Sequence, residues 1–67
     1  MNATFLAMVP TDFIIHVEKR CKAGIISKNA KDRILKEHKN IIDRNQVIYV
    51  HVSEIQELEE YEDNTDS

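Results

Sequence analysis

Cys21 is the sole cysteine of the chain, so no internal disulfide can brace its fold. The chain has 67 residues, and a domain of about 60 residues buries only about 60% of the surface its unfolded form exposes. Stability must then come from a small apolar core, from a partner, or from both, and a homo-oligomer is expected. A lone thiol fits a reducing, cytoplasmic setting. An apolar fraction of 42% beside 31% charged residues belongs to a folded domain, not to a disordered chain. The length excludes a multidomain enzyme. The apolar run over residues 3–9 is too short to span a membrane. No Lys or Arg precedes Lys19, so the run also lacks the basic flank of a signal peptide.

The net charge of −3 taken alone argues against a polyanionic partner. Its distribution says otherwise. All nine basic residues lie within 19–44, and the stretch 18–44 holds only four acids, for a local charge of +5. From Glu54 onward there are seven acids and no base. Such segregation points to a basic binding surface followed by an acidic end, against the plainer reading of two solvated helix faces.

Read along the chain, residues 3–9 form a short strand closed by Pro10. Thr11 and Asp12 are N-cap types ahead of a helix whose stripe is Phe13, Ile14, Val17 and Cys21, with Ile15 off it. Gly24 is the natural residue to end that helix. Ser27 caps a second helix over 28–39, in which Ala30, Ile34, Leu35 and His38 share one side. Asn29, Arg33, Lys36 and Asn40 line the opposite side, flanked by Lys28, Asp32 and Lys39, while Lys31 must snorkel from the apolar side. Ile41 and Ile42 begin a β-hairpin over 41–52 whose tip is Asp43-Arg44-Asn45-Gln46. In its second strand, VIYVHV, Ile48, Val50 and Val52 face one way and Val47, Tyr49 and His51 the other. Ser53 and Gln56 form a capping box before a third helix docked by Ile55 and Leu58. The expected fold is a single small α+β domain over 1–60 with a short N-terminal strand, two to three helices and a C-terminal hairpin. An acidic disordered tail over 61–67 follows.

No arrangement of residues places a nucleophile beside a base, and Gly24, the only glycine, rules out a Gly-rich phosphate loop; an enzyme is not expected, nor any cofactor. Cys21 sits on an apolar stripe, where a cysteine acts as a small hydrophobe. His16, Cys21, His38 and His51 lack the paired spacing of zinc ligands. His38 reads as a core-edge histidine and His51 as a surface strand residue. The second helix carries the chemistry instead, because Lys and Arg neutralise phosphates while Arg, Asn, Gln and Lys read base edges.

The segment AGIISKNAKDRILKEHKNIIDRNQVIYVHVSEIQEL resembles the recognition helix and wing of small winged-helix DNA-binding proteins of the excisionase-like and MerR-like kinds. The resemblance, spanning about residues 20–60, implies a DNA-binding transcriptional regulator or recombination accessory. It implies base reading by Lys28, Asn29, Asp32 and Arg33, with Arg44 in the wing; Lys36 and Asn40 extend the same face. A ribbon–helix–helix arrangement of strand 3–9 and helices 12–22 and 28–39 is a second option. That fold reads DNA through its strand, where only Thr4 offers a polar side chain. The alternative function is a small interaction module or inhibitor, of viral or mobile-element type, that binds a host protein through Glu57, Glu59, Glu60, Tyr61 and Glu62.

Overall fold

The computed structural model describes residues 4–65, and side chains as far as Tyr61. In order, the elements are β1 (Phe5–Met8), α1 (Pro10–Lys22), α2 (Lys28–Glu37), α3 (Lys39–Asp43), β2 (Ile48–His51) and α4 (Val52–Thr65). The architecture is α+β, as the patterning indicates.

Pro10 does more than end β1. It occupies the first turn of α1, where its fixed φ favours the helix and its missing N–H leaves nothing unsatisfied. The helix accordingly starts ahead of Thr11 and Asp12. Val9 takes the N-cap position without a side-chain cap, and its carbonyl accepts from Phe13 N–H at 3.0 Å. Asp12 instead places its charge in the first turn, near the positive end of the helix dipole. The far end of α1 is a Schellman stop. Gly24 has φ +82°, its N–H donates to Cys21 O at 3.0 Å, and Ile25 N–H donates to Arg20 O at 2.9 Å. A methyl group at Gly24 would meet nothing within 4 Å, so only the backbone conformation demands glycine there. Gly24→Ala should therefore destabilise the protein by about 1–2 kcal/mol, measured by chemical denaturation.

The hairpin over 41–52 does not form. Ile41 and Ile42 lie in α3, and their carbonyls accept from Gln46 N–H at 3.1 Å and Asn45 N–H at 3.0 Å. Asn45 has φ +55°, so the polar stretch expected as a hairpin tip is a second Schellman stop, with Asn in the left-handed position. Arg44 consequently belongs to the C-terminal end of α3 and not to a wing. The partner of β2 is β1: the strands run antiparallel, with Phe5 opposite His51, Leu6 opposite Val50, Ala7 opposite Tyr49 and Met8 opposite Ile48.

Alternation along β2 follows the pattern of its residues. Ile48 and Val50 are buried and Tyr49 is 67% exposed. Ile48 and Val50 meet Phe13 and Val17 of α1 to form the core, with Ile34 and Leu35, Ile41 and Ile42, and Ile55 packed around it. Ile15, off the stripe, is exposed. The molecule is a slab of 40 × 35 × 15 Å whose radius of gyration, 12.5 Å, exceeds the roughly 11 Å of a compact chain this long. Helices cover one face of the sheet only. On the other side Phe5 and Tyr49 remain largely exposed.

The start of α4 also differs from the expected capping box. Val52 already belongs to the helix, and His51 supplies the cap: its Nδ1 accepts from Ser53 N–H at 3.1 Å and from Ser53 Oγ–H at 2.7 Å. Ile55 and Leu58 dock the helix as expected. The α4 backbone continues to Thr65, so through that residue it is helical where a disordered acidic tail was expected beyond residue 60. Residues 66 and 67, the end of that tail, lie outside the described residues.

Candidate nucleic-acid interface

The basic face is built on α2, and its N-terminus is set by Ser27, whose Oγ accepts from Ala30 N–H at 3.1 Å. With the helix started there, Ile34, Leu35 and His38 turn inward and are half-buried. His38 is held at the core edge: its Nδ1–H donates to Ile34 O at 2.7 Å, and its ring lies 4.8 Å from that of Phe13. Lys31 is half-buried, as its place on the apolar side requires. The helix breaks at His38, and α3 resumes at Lys39 in place of one unbroken helix to that residue.

Lys28, Asn29, Asp32, Arg33, Lys36 and Asn40 are all exposed, as is Arg44 beyond α3. Among the described residues, none of these seven side chains enters an ion pair; Lys39, beside them, is engaged by Asp43 at 2.6 Å. Asp32 lies within helical reach of Lys28 and Lys36 without closing on either.

The acids of α4 turn elsewhere. Glu54 meets Arg20 at 2.8 Å and Glu57 stands 3.9 Å from the same guanidinium, tying α4 to α1. Arg20 is thus removed from the basic surface, its side chain only 13% exposed. Glu59, Glu60 and Tyr61 are exposed, Glu57 is largely so, and the Glu62 side chain lies outside those described. Cys21 is free and half-buried. Among the described residues no three His, Cys, Asp or Glu side chains are grouped to hold a metal ion. No helix among them is long and apolar enough to cross a membrane.

A second feature has no counterpart in the sequence reading. Between α1, α2, β2 and the first turn of α4 lies a cavity of about 190 Å³, bordered by His16, Arg20, His38 and Glu54 among apolar walls. His16 is buried, and its Nε2, like Arg20 Nε, has no hydrogen-bond partner among the described residues. The signal for both residues was their i, i+4 spacing on the face that carries Phe13 and Val17.

Burial, and then the Arg20 charge, lower the His16 pKa from 6.5, with Glu54 opposing. The folded state therefore resists a proton that the unfolded chain accepts, and the unfolded form binds more protons below pH 6.5. Stability should be full above that pH and fall as acidification passes through 6.5 toward the lowered folded value. Thermal midpoints across this range should show the loss, and His16→Gln should flatten it.

Compared with protein-family models, curated proteins and solved structures, the chain matches none of them.

Proposed function

We propose that this chain is a small cytoplasmic DNA-binding protein, a transcriptional regulator or recombination accessory of the type mobile elements carry, with no catalytic role. Helix α2 enters the major groove. Asn29, Arg33, Lys36 and Asn40 face the bases and backbone, Lys28 and Asp32 sit toward the helix N-terminus, and Arg44 holds a flanking phosphate. The observation that carries this reading is the exposed face of α2, whose cations have no acidic partner among the described residues. Of the resemblance to winged-helix proteins, the turn capped by Ser27 and the basic helix that follows it remain, without a wing. The uncovered outer side of the sheet, with Phe5 and Tyr49 exposed, supports a second copy of the chain as partner.

A mobility-shift titration with duplex DNA tests the reading. Four cations on phosphate (Lys28, Arg33, Lys36 and Arg44) give about a hundredfold loss of affinity between 50 and 200 mM salt. Absence of any shift at about 50 mM salt overturns the proposal. Deleting residues 60–67 should leave duplex binding intact or strengthen it, since the eight positions removed carry four acids, which repel a polyanion, and no base. Under the alternative, in which the exposed Glu57, Glu59, Glu60 and Tyr61 engage a host protein, the same deletion abolishes partner capture.

A further inference from the structure

A second copy of the chain needs a surface to dock on, and the outer face of the sheet has the geometry of one. Strand alternation puts Phe5, Ala7 and Val9 in one column of that face and His51, Tyr49 and Val47 in the other. Of the seven large apolar side chains exposed among the described residues, four stand here, so the exposure is concentrated and not scattered. Phe5, Val9 and Val47 are each about half exposed, and Tyr49 more so. The His51 ring closes one end of the face, edge to face with Phe5 at 5.2 Å. The face is also free of formal charge: no Asp, Glu, Lys or Arg occurs in 4–10 or 45–52.

Size and charge select the occupant. An aromatic side chain has about 150–250 Å² of surface, so Phe5 and Tyr49 at their exposures present about 250 Å² between them. With the two valines and Ala7 the face comes to about 400 Å², the size of apolar patch that marks a contact surface on a monomer. Two such faces together bury on the order of 800–1,000 Å², near the lower bound for a specific but weak association. A second copy meets no like charge here, whereas basic α2 and acidic α4 would each face their own charge across a twofold axis. Relief completes the fit. Tyr49 lies directly opposite Ala7 in the strand pair, a projection beside a hollow. A twofold axis along the ribbon, midway between its columns, lays each Tyr49 over the Ala7 of the other copy. We infer that the chain dimerises by stacking these two faces, Tyr49 of each copy seated on Ala7 of the other. The inference rests on the proposed second copy and is independent of DNA binding by α2.

Sedimentation equilibrium of the full chain without DNA tests the dimer. The protein should pass from monomer to dimer and no further, with Kd on the order of 10–100 µM. Salt at about 1 M should not dissociate it, because no ion pair holds it. Tyr49→Ala removes the projection and Ala7→Tyr fills the hollow, and each should weaken the dimer about tenfold or more. The double variant, which exchanges the two, should recover most of that loss. Should a variant fail to fold, NMR of the unaltered protein decides: side-chain signals of Phe5, Val9, Val47 and Tyr49 should move with protein concentration, and those of Asn29 and Arg33 should not. A protein still monomeric at about 1 mM overturns the inference and leaves the face to a different partner. Growth beyond the dimer, the mark of edge-to-edge strand addition, overturns it too, as does dissociation by salt, the mark of α2 on α4. So does a Tyr49→Ala dimer of undiminished affinity, or an exchange variant that recovers nothing. Arg33→Ala with Lys36→Ala should leave the dimer intact. A dimer that shifts no DNA therefore overturns only the reading of α2, and a monomer that shifts DNA overturns only this one.

Discussion

Phe13→Ala should lose about 3–5 kcal/mol of stability, the usual result of truncating a buried phenylalanine. Phe13 is 5% exposed, joins Val17, Ile48 and Val50 in the core, and holds the His38 ring against its own. The loss is large because so little else stands behind it: the buried apolar residues of the described chain are Phe13, Val17, Ile48, Val50 and Leu58. Below about 70–80 residues a single core rarely supplies more than about 3–5 kcal/mol in all. The variant should therefore sit at or beyond its unfolding midpoint in water, which urea titration followed by circular dichroism would show. Ile15→Ala, two positions along on the exposed side of α1, is the matched control and should change stability by less than about 0.5 kcal/mol. Equal losses in the two variants would mean that α1 does not present this face to the sheet.

The second large effect concerns DNA. Arg33→Ala combined with Lys36→Ala should reduce the slope of log affinity against log salt by about two, one unit for each phosphate contact removed. With about two contacts left, the loss of affinity between 50 and 200 mM salt falls from about a hundredfold to about tenfold. Both residues are exposed and pair with no described acid, so the double variant should fold and melt like the parent. An unchanged salt slope would remove α2 from the interface. Asn29→Ala and Asn40→Ala should leave the slope alone and alter only the preference among DNA sequences.

Much of the local structure was legible because single residues dictate it. Gly24 takes the left-handed backbone conformation that costs glycine least. Ser27 starts α2 with its side chain, and the 3.6-residue period then decides which of its residues face water. Alternation in β2 likewise foretells that Ile48 and Val50 are buried and Tyr49 exposed. What alternation does not encode is the partner. It states which way each side chain points and leaves open whether residues 41–46 or 5–8 lie alongside, and both stretches contain apolar residues. The answer depended on Asn45, whose left-handed backbone serves a helix stop as readily as a turn. The cap on α4 was hidden similarly, because imidazole is a less usual cap than the serine two positions on. The exposure of the basic stripe followed from its period. The pairing of Arg20 with Glu54 is a contact between residues 34 positions apart, which no local pattern announces.

The pairing of β1 with β2 bears on the order in which the chain can be made and folded. Met8 lies opposite Ile48, so the sheet closes a loop of forty positions around three helices, where a hairpin would close only a few. Each doubling of a closed loop adds about 0.6 kcal/mol of chain entropy, so this closure costs about 2 kcal/mol more than a tight hairpin. Refolding should accordingly be slower than for a helical bundle of equal size. On the ribosome, β1 emerges first and waits through the synthesis of α1, α2 and α3 before its partner strand exists. Throughout that wait its backbone is open to pairing with the same strand of a neighbouring nascent chain.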